Sequence, residues 1–415
     1  MLLRLLQVAF VLTYAFQSAS GQTVTPDSLP SQTISVPKTA PSPSKWYDKI
    51  SLRGYAQFRY NRLLETNPDL KCEQCNKSIG KGQSFAFRRA RMVFSGDVHK
   101  QLFIYIQVDY SADASSTNKH FLQVRDAYFD YAFDKKKEYR LRFGQSKVPF
   151  GFENLQSSSN RLPLDRSDAL NSAAANERDF GAFFMYAPAK IRELIKNVSN
   201  DALKGSNDYG VFAFGLYNGQ TANKPELNDY LHAVARLSYS IKIGKQIVEP
   251  GIQAYSGKFT LAKDQISLGA KAAKDLTYTD RRVAGSLVLY PQPFGILAEY
   301  NVGESPSFDA ATDSIRVQKL NGGFVTASYR SKLGKGFIMP YARYQVYDGA
   351  KKHELDARRY DINELELGME WQPIKNLEVT FAYVISDRKY WNYSDSKTYY
   401  AEKGNFFRIQ MQANY

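Results

Sequence analysis

From Ile50 to Tyr415 the apolar and polar positions alternate with period two, in runs separated by clusters of Gly, Pro, Asn and Asp. The last run is the clearest. Phe407, Ile409, Met411, Ala413 and Tyr415 share one face of a strand, and Arg408, Gln410, Gln412 and Asn414 share the other. Similar runs cover 51–62, 84–98, 101–111, 121–133, 137–148, 179–188, 208–218, 229–243, 246–259, 276–290, 294–302, 315–331, 335–348, 360–373, 376–388 and 404–415. They number sixteen, and an even number lets an up-and-down barrel close with both termini on one side.

The connections alternate in length as well. Short turns fall at 97–100, 134–136, 242–245, 291–293, 333–335 and 372–375. Longer loops fall at 63–83, 112–120, 149–178, 219–228, 260–275, 303–314, 349–359 and 389–403. The link 189–207 breaks the pattern: Ile191, Leu194 and Ile195 stand at helical spacing and predict a brief helix on the short-turn side. The expected fold is all-β, a transmembrane antiparallel up-and-down β-barrel of about sixteen strands whose loop after strand 5 folds inward.

Strict alternation lets the apolar set of each strand assign the opposite set. Leu52, Ala56, Phe58 and Tyr60 face lipid, which turns Arg53, Gln57 and Arg59 inward. By the same rule Ala90, Met92 and Phe94 direct Arg89 and Arg91 inward, and Tyr139, Leu141 and Phe143 direct Arg140 and Arg142 inward. Arg236, Arg330, Arg343 and Arg408 follow on later strands. An arginine facing hydrocarbon at mid-depth costs roughly 2–4 kcal/mol, so so many violations are excluded.

Parity also turns Asp109, Asp126, Asp130, Glu299, Glu364, Glu366 and Glu370 inward. The inward arginines therefore have two possible uses, bracing the wall against carboxylates or meeting a solute. The bases concentrate on the first five strands and the later carboxylates on 360–373, which predicts one positive wall.

The loop 149–178 is long enough to enter the lumen. Lys147 and Pro149 stand at the strand exit, followed by Gly151, Ser157, Ser158, Ser159, Arg161, Arg166 and Arg178. Hydroxyls with guanidinium groups can replace the hydration shell of a phosphate-like anion. An external lid of solvated polar residues is the alternative reading of the same loop.

Composition narrows the picture further. The formal net charge of +14 calls for anionic partners, but bases that parity places inside a barrel do not fit nucleic acid. Aromatics reach 14%, with Tyr 29 and Phe 26 against Trp 3, as a wall with rings at two membrane interfaces requires.

Arg4, the apolar run Leu5–Phe16 and the small residues Ser18, Ala19, Ser20 and Gly21 have the layout of a secretory signal peptide over 1–21, with an anchor helix as the alternative. Beyond it no apolar run has helix-spanning length. Residues 22–46 form a flexible extension rich in Pro, Ser and Thr, and 47–415 the barrel domain.

Cys72 and Cys75 are the only cysteines and lie in a polar loop, where an oxidising compartment favours a local disulfide. They are too few for a zinc site without further ligands, and neither a metal nor a cofactor is expected. His99, His120, His232 and His353 are scattered and none joins a motif with Ser or Asp. A rim hydrolase, which would need such a constellation, is the rival from the enzyme class. A surface-scaffold or adhesin barrel with a plugged lumen is another rival.

These residues also carry a family resemblance. Phe87-Arg88-Arg89-Ala90-Arg91, Asp126-Ala127-Tyr128-Phe129-Asp130-Tyr131 and the run Leu141 to Gly151 are similar to the phosphate-selective porin O and P family. Ser157-Ser158, Asp165-Arg166-Ser167, Asp179-Phe180-Gly181 and Tyr217-Asn218-Gly219 fit it too.

The resemblance implies a trimeric porin of the bacterial outer membrane, passive diffusion of small inorganic or organic anions, and lipid around the barrel. It implies Ser157, Ser158 and Arg166 as anion ligands, with Asp126 or Asp130 as the acidic partner. Asn154 stands where phosphate-specific members carry a loop lysine. The expectation is therefore general anion preference rather than high phosphate selectivity.

Overall fold

A computed structural model of the chain describes residues 45–64, 83–112, 120–391, 393 and 400–415. The expected signal peptide, nearly all of the extension, and Cys72 with Cys75 lie outside the described residues.

Sixteen wall strands follow one another: β1 Ser51–Leu63, β2 Gln83–His99, β3 Leu102–Ala112, β4 His120–Ala132, β5 Tyr139–Lys147, β6 Arg178–Tyr186, β7 Phe212–Tyr217 and β8 His232–Ser238, resumed at Ile241–Ile243. The second half is β9 Gln246–Thr260, β10 Thr277–Leu289, β11 Phe294–Asp309, β12 Ser314–Tyr329, resumed at Ser331–Leu333, β13 Gly336–Ala350, β14 Arg359–Ile374, β15 Leu377–Trp391 and β16 Tyr400–Asn414.

Each strand pairs antiparallel with the next, and β16 returns to β1 with Tyr55 opposite Asn414 and Leu63 opposite Phe406. Closure removes the free sheet edge, so the wall's backbone polar groups are satisfied within the sheet. At the seam Gly54 and Tyr415 exchange backbone hydrogen bonds. A Cβ on Gly54 would lie 2.7 Å from the Tyr415 ring, so only glycine leaves the ring room.

The sixteen expected runs all appear as strands. One expected loop does not: 303–314 is mostly hairpin, since β11 runs on to Asp309 and pairs with Ser314. Cross-strand pairs from Gly303/Leu320 to Phe308/Ile315 hold this extension.

The usual inside-out order of a soluble protein is reversed. Leu52, Phe85 and Leu122 are each 60% exposed or more, while Arg59 and Arg408 are 1% exposed. Large rings and aliphatic chains cover the outer face, as a wall bathed in lipid requires.

Two β-bulges, in β2 and β4, break the alternation where it turns arginines inward. The β1–β2 register passes from Gln57 opposite Arg89 to Phe58 opposite Phe87, leaving Arg88 unmatched. The β3–β4 register passes from Gln107 opposite Asp126 to Val108 opposite Val124, leaving Arg125 unmatched. A bulge lets two successive residues point the same way. Here the pairs are Arg88-Arg89 and Arg125-Asp126, all sheltered from solvent.

Between β5 and β6 the chain forms two short helices, α1 Phe152–Leu155 and α2 Asp168–Asn171. Between β6 and β7 the expected helix is present as α3 Ala189–Asn200, which buries Ile191 and Val198. It docks on the β4–β5 turn, where Glu138 accepts from the Ala189 N–H at 2.7 Å and Arg192 Nη1 donates to the Lys136 and Lys137 carbonyls at 3.0 and 2.7 Å.

Candidate functional site

Residues 148–177 bond to inward side chains from widely separated strands. Glu299 of β11 accepts the N–H groups of Phe152 and Glu153 at 2.6 and 2.7 Å. Gln57 Nε2 of β1 donates to the Ser158 carbonyl at 3.0 Å, and Arg343 Nη1 of β13 donates to the Asp165 carbonyl at 2.8 Å. Arg282 Nη1 of β10 donates to Ser172 Oγ at 2.8 Å. The apolar side of the loop, Val148, Phe150 and Leu170, packs with Tyr255, Phe324 and Tyr347 of the wall.

Two cavities with no lining residue in common lie along the barrel. One, of about 510 Å³, is walled by residues of the long loops, among them Lys224, Gln265 and Lys351. The other, of about 1150 Å³, is walled by the short turns, among them Asp97, Lys137, Lys335 and Lys375. The division between them is one residue thick in places. Asp109, Arg125 and Glu177 line the long-loop chamber, while Gln107, Asp126 and Arg178 line the short-turn chamber. Both linings carry more bases than acids: eight against five, and ten against six.

The expected site residues divide between these places. Arg89, Arg91 and Arg166 line the long-loop chamber. Arg53, Arg140, Arg142, Lys147, Ser157, Asp126 and Asp130 line the short-turn chamber. Arg59 and Ser158 line neither: Arg59 bonds to Asp165 of the loop, and Ser158 is a residue of the loop that Arg91 meets. Most are already engaged. Arg142 grips Asp130 with Nε at 2.7 Å and Nη2 at 2.9 Å, and Arg91 Nη2 meets Asp109 at 2.9 Å. Arg140 Nη2 meets Asp208 at 2.7 Å, and Arg178 Nε meets both Asp126 oxygens at 3.0 Å. Arg166 donates to Glu177 at 2.7 Å and to two loop carbonyls, and Lys147 Nζ donates to the Leu155 and Gln156 carbonyls. Ser157 Oγ shares a 2.9 Å hydrogen bond with Ser159 Oγ.

Three arginines, Arg89 of the expected set and Arg88 and Arg161 beside it, stand differently. Among the described residues Arg89 has no carboxylate within 4.0 Å, and its Nε lacks a hydrogen-bond partner. Arg161 makes one long bond, Nη2 to the Leu164 carbonyl at 3.4 Å, and its Nε and Nη1 have none. Arg88 reaches Asp165 only at 3.8 Å. All three line the long-loop chamber. Asp165 is already held by Arg59 at 3.1 Å and by Arg408. Burial alone would raise the Asp165 carboxyl, but Arg59, Arg408, Arg88 and Arg161 outweigh it and hold the carboxyl well below the usual range. Burial also lowers the Arg161 guanidinium, with Glu153 opposing and Arg89 adding to the effect.

Arg88 and Arg125 escape a parity reading because each sits in a bulge. A signal was present: Phe85 and Phe87 are outward at odd positions, yet Met92 and Phe94 are outward at even ones, so the phase slips between. In β4 Leu122 and Val124 give way in the same manner to Phe129 and Tyr131.

The histidines stay apart. His99 is exposed at the end of β2, the buried His232 Nε2 lies 3.1 Å from the Lys258 carbonyl, and His353 packs edge-on against Phe259. Among the described residues no group of three metal-ligating side chains comes together.

A family profile described as phosphate-selective porin O and P matches residues 68–415. Among solved structures the chain is similar to the outer membrane channel DcaP of Acinetobacter baumannii, at 14% identity over 88% of this chain and 97% of that one, with a TM-score of 0.52. It is also similar to OmpF of Salmonella typhi in complex with daunomycin, at 14% identity over 89% and 98%, with a TM-score of 0.53. At these identities the likeness is one of fold. No curated protein sequence matches the chain.

Proposed function

The chain belongs to the phosphate-selective porin O and P family of the bacterial outer membrane, and from that premise we propose that its channel passes anions in preference to cations. Arg88, Arg89 and Arg161 support this reading. They place positive charge on the long-loop chamber that no nearby carboxylate fully neutralises. A permeating oxyanion would exchange water for guanidinium contacts one at a time, which attracts it without a deep trap. Ser158 Oγ, at 3.4 Å from Arg91 Nη1, and the inner chamber's Arg140 and Arg142 extend the basic path inward.

General anion preference fits better than strict phosphate selectivity. Asn154 spends its Nδ2 on the Phe150 and Leu170 carbonyls at 3.3 and 2.9 Å and is buried within the loop. It therefore adds no charge to the path. Assembly as a homotrimer is part of the same proposal.

Reversal potential across a planar bilayer in a potassium chloride gradient tests the preference. The expected sign is that of anion permeation, and added phosphate should reduce chloride current by competing for the same guanidinium groups. A cation-selective potential would overturn the reading. A barrel plugged at rest is the second reading, favoured by the hydrogen bonds that tie residues 148–177 to β1, β10, β11 and β13. Absence of conductance steps would decide for it.

A further inference from the structure

We infer that residues 201–209, which follow α3, form a strap that crosses the lumen from the short-turn side, is latched by Lys204 to the far wall, and sets the pore's size limit together with the loop 149–177. The inference rests on the channel reading above. A hairpin from β6 to β7 needs about two to five residues. Here the chain instead spends residues 187–211. After α3 it turns inward, and Leu203, Lys204, Gly205 and Ser206 are all buried.

Lys204 leaves the β6–β7 connection and reaches β14, where its Nζ lies 2.6 and 2.7 Å from the two Glu370 oxygens. It also lies 3.7 Å from Glu378 of β15. The strap meets the inward loop on the way. Gln156 Nε2 donates to the Lys204 carbonyl at 2.5 Å, and Asn160 Nδ2 donates to the Gly205 carbonyl at 2.6 Å. Leu203 packs with Phe152 and Tyr290, and Ala202 packs against Leu162 and Phe337. A segment that only joined two strands would need none of these contacts.

The strap is also strained. Ala202, Lys204 and Asn207 hold φ of 54°, 64° and 72°, in the left-handed region that disfavours residues with a Cβ. Such backbone persists only where its surroundings over-determine it. The ammonium of Lys204 and the loop amides do so here. Because the strap joins Lys204 on one side of the lumen to Glu370 on the other, it occupies cross-section that a hairpin turn would leave open.

The test compares single-channel conductance, and the largest sugar admitted to proteoliposomes, for the full chain and two variants. In one, residues 201–209 are replaced by a short Gly/Asn linker; in the other, Lys204→Met loosens the latch alone. The expected result is an increase of about twofold or more in conductance for the replacement, since pore conductance follows the open cross-section, a smaller increase for Lys204→Met, and a larger sugar limit for both. Glu370→Gln, which keeps a hydrogen-bonding side chain, should fall between Lys204→Met and the unaltered chain. Unchanged conductance and sugar limit in folded, heat-modifiable variants of a conducting wild type would overturn the strap while leaving the channel reading intact. Absence of conductance in every protein would overturn both.

Discussion

The two walls of the lumen use the same guanidinium chemistry to opposite ends. On the wall of β11 to β16 and the loop after β13, three buried bases are each held between two acids. Arg388 lies 2.9 Å from Asp168 and 2.8 Å from Glu364, Arg408 bridges Asp165 and Glu366, and Lys351 lies 2.7 Å from Asp168 and 3.6 Å from Glu354. On the wall of β2 to β4 and the adjoining loop, Arg88 reaches Asp165 only at 3.8 Å, while Arg89 and Arg161 have no carboxylate within 4.0 Å among the described residues. Doubly paired bases brace the barrel and pin α2 of the inward loop. The underpaired ones have no such partner, and on the proposed reading their charge is what a permeating anion meets. Net charge is blind to this difference, because both walls contribute arginine to the same total.

Breaking a brace should have the largest effect. Removing one partner of a buried ion pair strands the other charge, at a cost of about 3–5 kcal/mol. Arg388→Met takes the bridging guanidinium from Asp168 and Glu364, leaving Asp168 to Lys351 alone and Glu364 without a cation among the described residues, and should lower the unfolding midpoint of the vesicle-inserted barrel strongly. The sign of the reversal potential should stay the same. If selectivity collapsed while stability held, the division of labour between the walls would be wrong.

Removing the underpaired charge should do the reverse. Arg89→Glu with Arg161→Glu should shift the anion-to-cation permeability ratio by about tenfold or more, equivalent to roughly 1.4 kcal/mol at the chamber. The unfolding midpoint should move little, since neither side chain gives up a close carboxylate. Reversal potential and unfolding, measured on the same two proteins, separate the walls. A fall in stability matching that of Arg388→Met would make Arg89 and Arg161 braces as well.

How much of this was legible in the sequence follows from the period of two. All sixteen strands could be read, because each keeps apolar side chains on the lipid side over its whole span. The inward direction of Arg59, Arg91, Arg142, Arg343 and Arg408 followed from the same rule. Arg88 and Arg125 did not, since a bulge reverses parity in mid-strand and its trace is only a slip in the phase of the apolar residues. Pairing was illegible altogether. Lys204 and Glu370 stand far apart in the chain and meet only because the barrel closes and the strap crosses it. Nothing in Ser157-Ser158-Ser159 reveals that the Ser157 and Ser159 hydroxyls share a hydrogen bond.

The smallest expected effect concerns pH. Burial would raise the Asp168 carboxyl, but Arg388 and Lys351 outweigh it and hold it at about 2. An unfolded aspartate titrates near about 3.9. A carboxyl depressed in the folded state contributes stability that is fully present above the unfolded value and fades as pH falls toward the folded one. The brace on α2 should therefore be intact from neutral pH down to about 4 and weaken progressively between about 4 and 2. Glu177 falls on the same side: burial would raise it, yet Arg166, Arg178 and Arg125 together pull it below the ordinary range, so it stays charged over the same interval. Single-channel traces should show constant conductance and noise from pH 7 to 4, with loop noise rising only below that. Noise that began near pH 5 would mean that Asp168 titrates as an ordinary carboxylate. The far wall would then brace the loop less firmly than its doubly paired geometry requires.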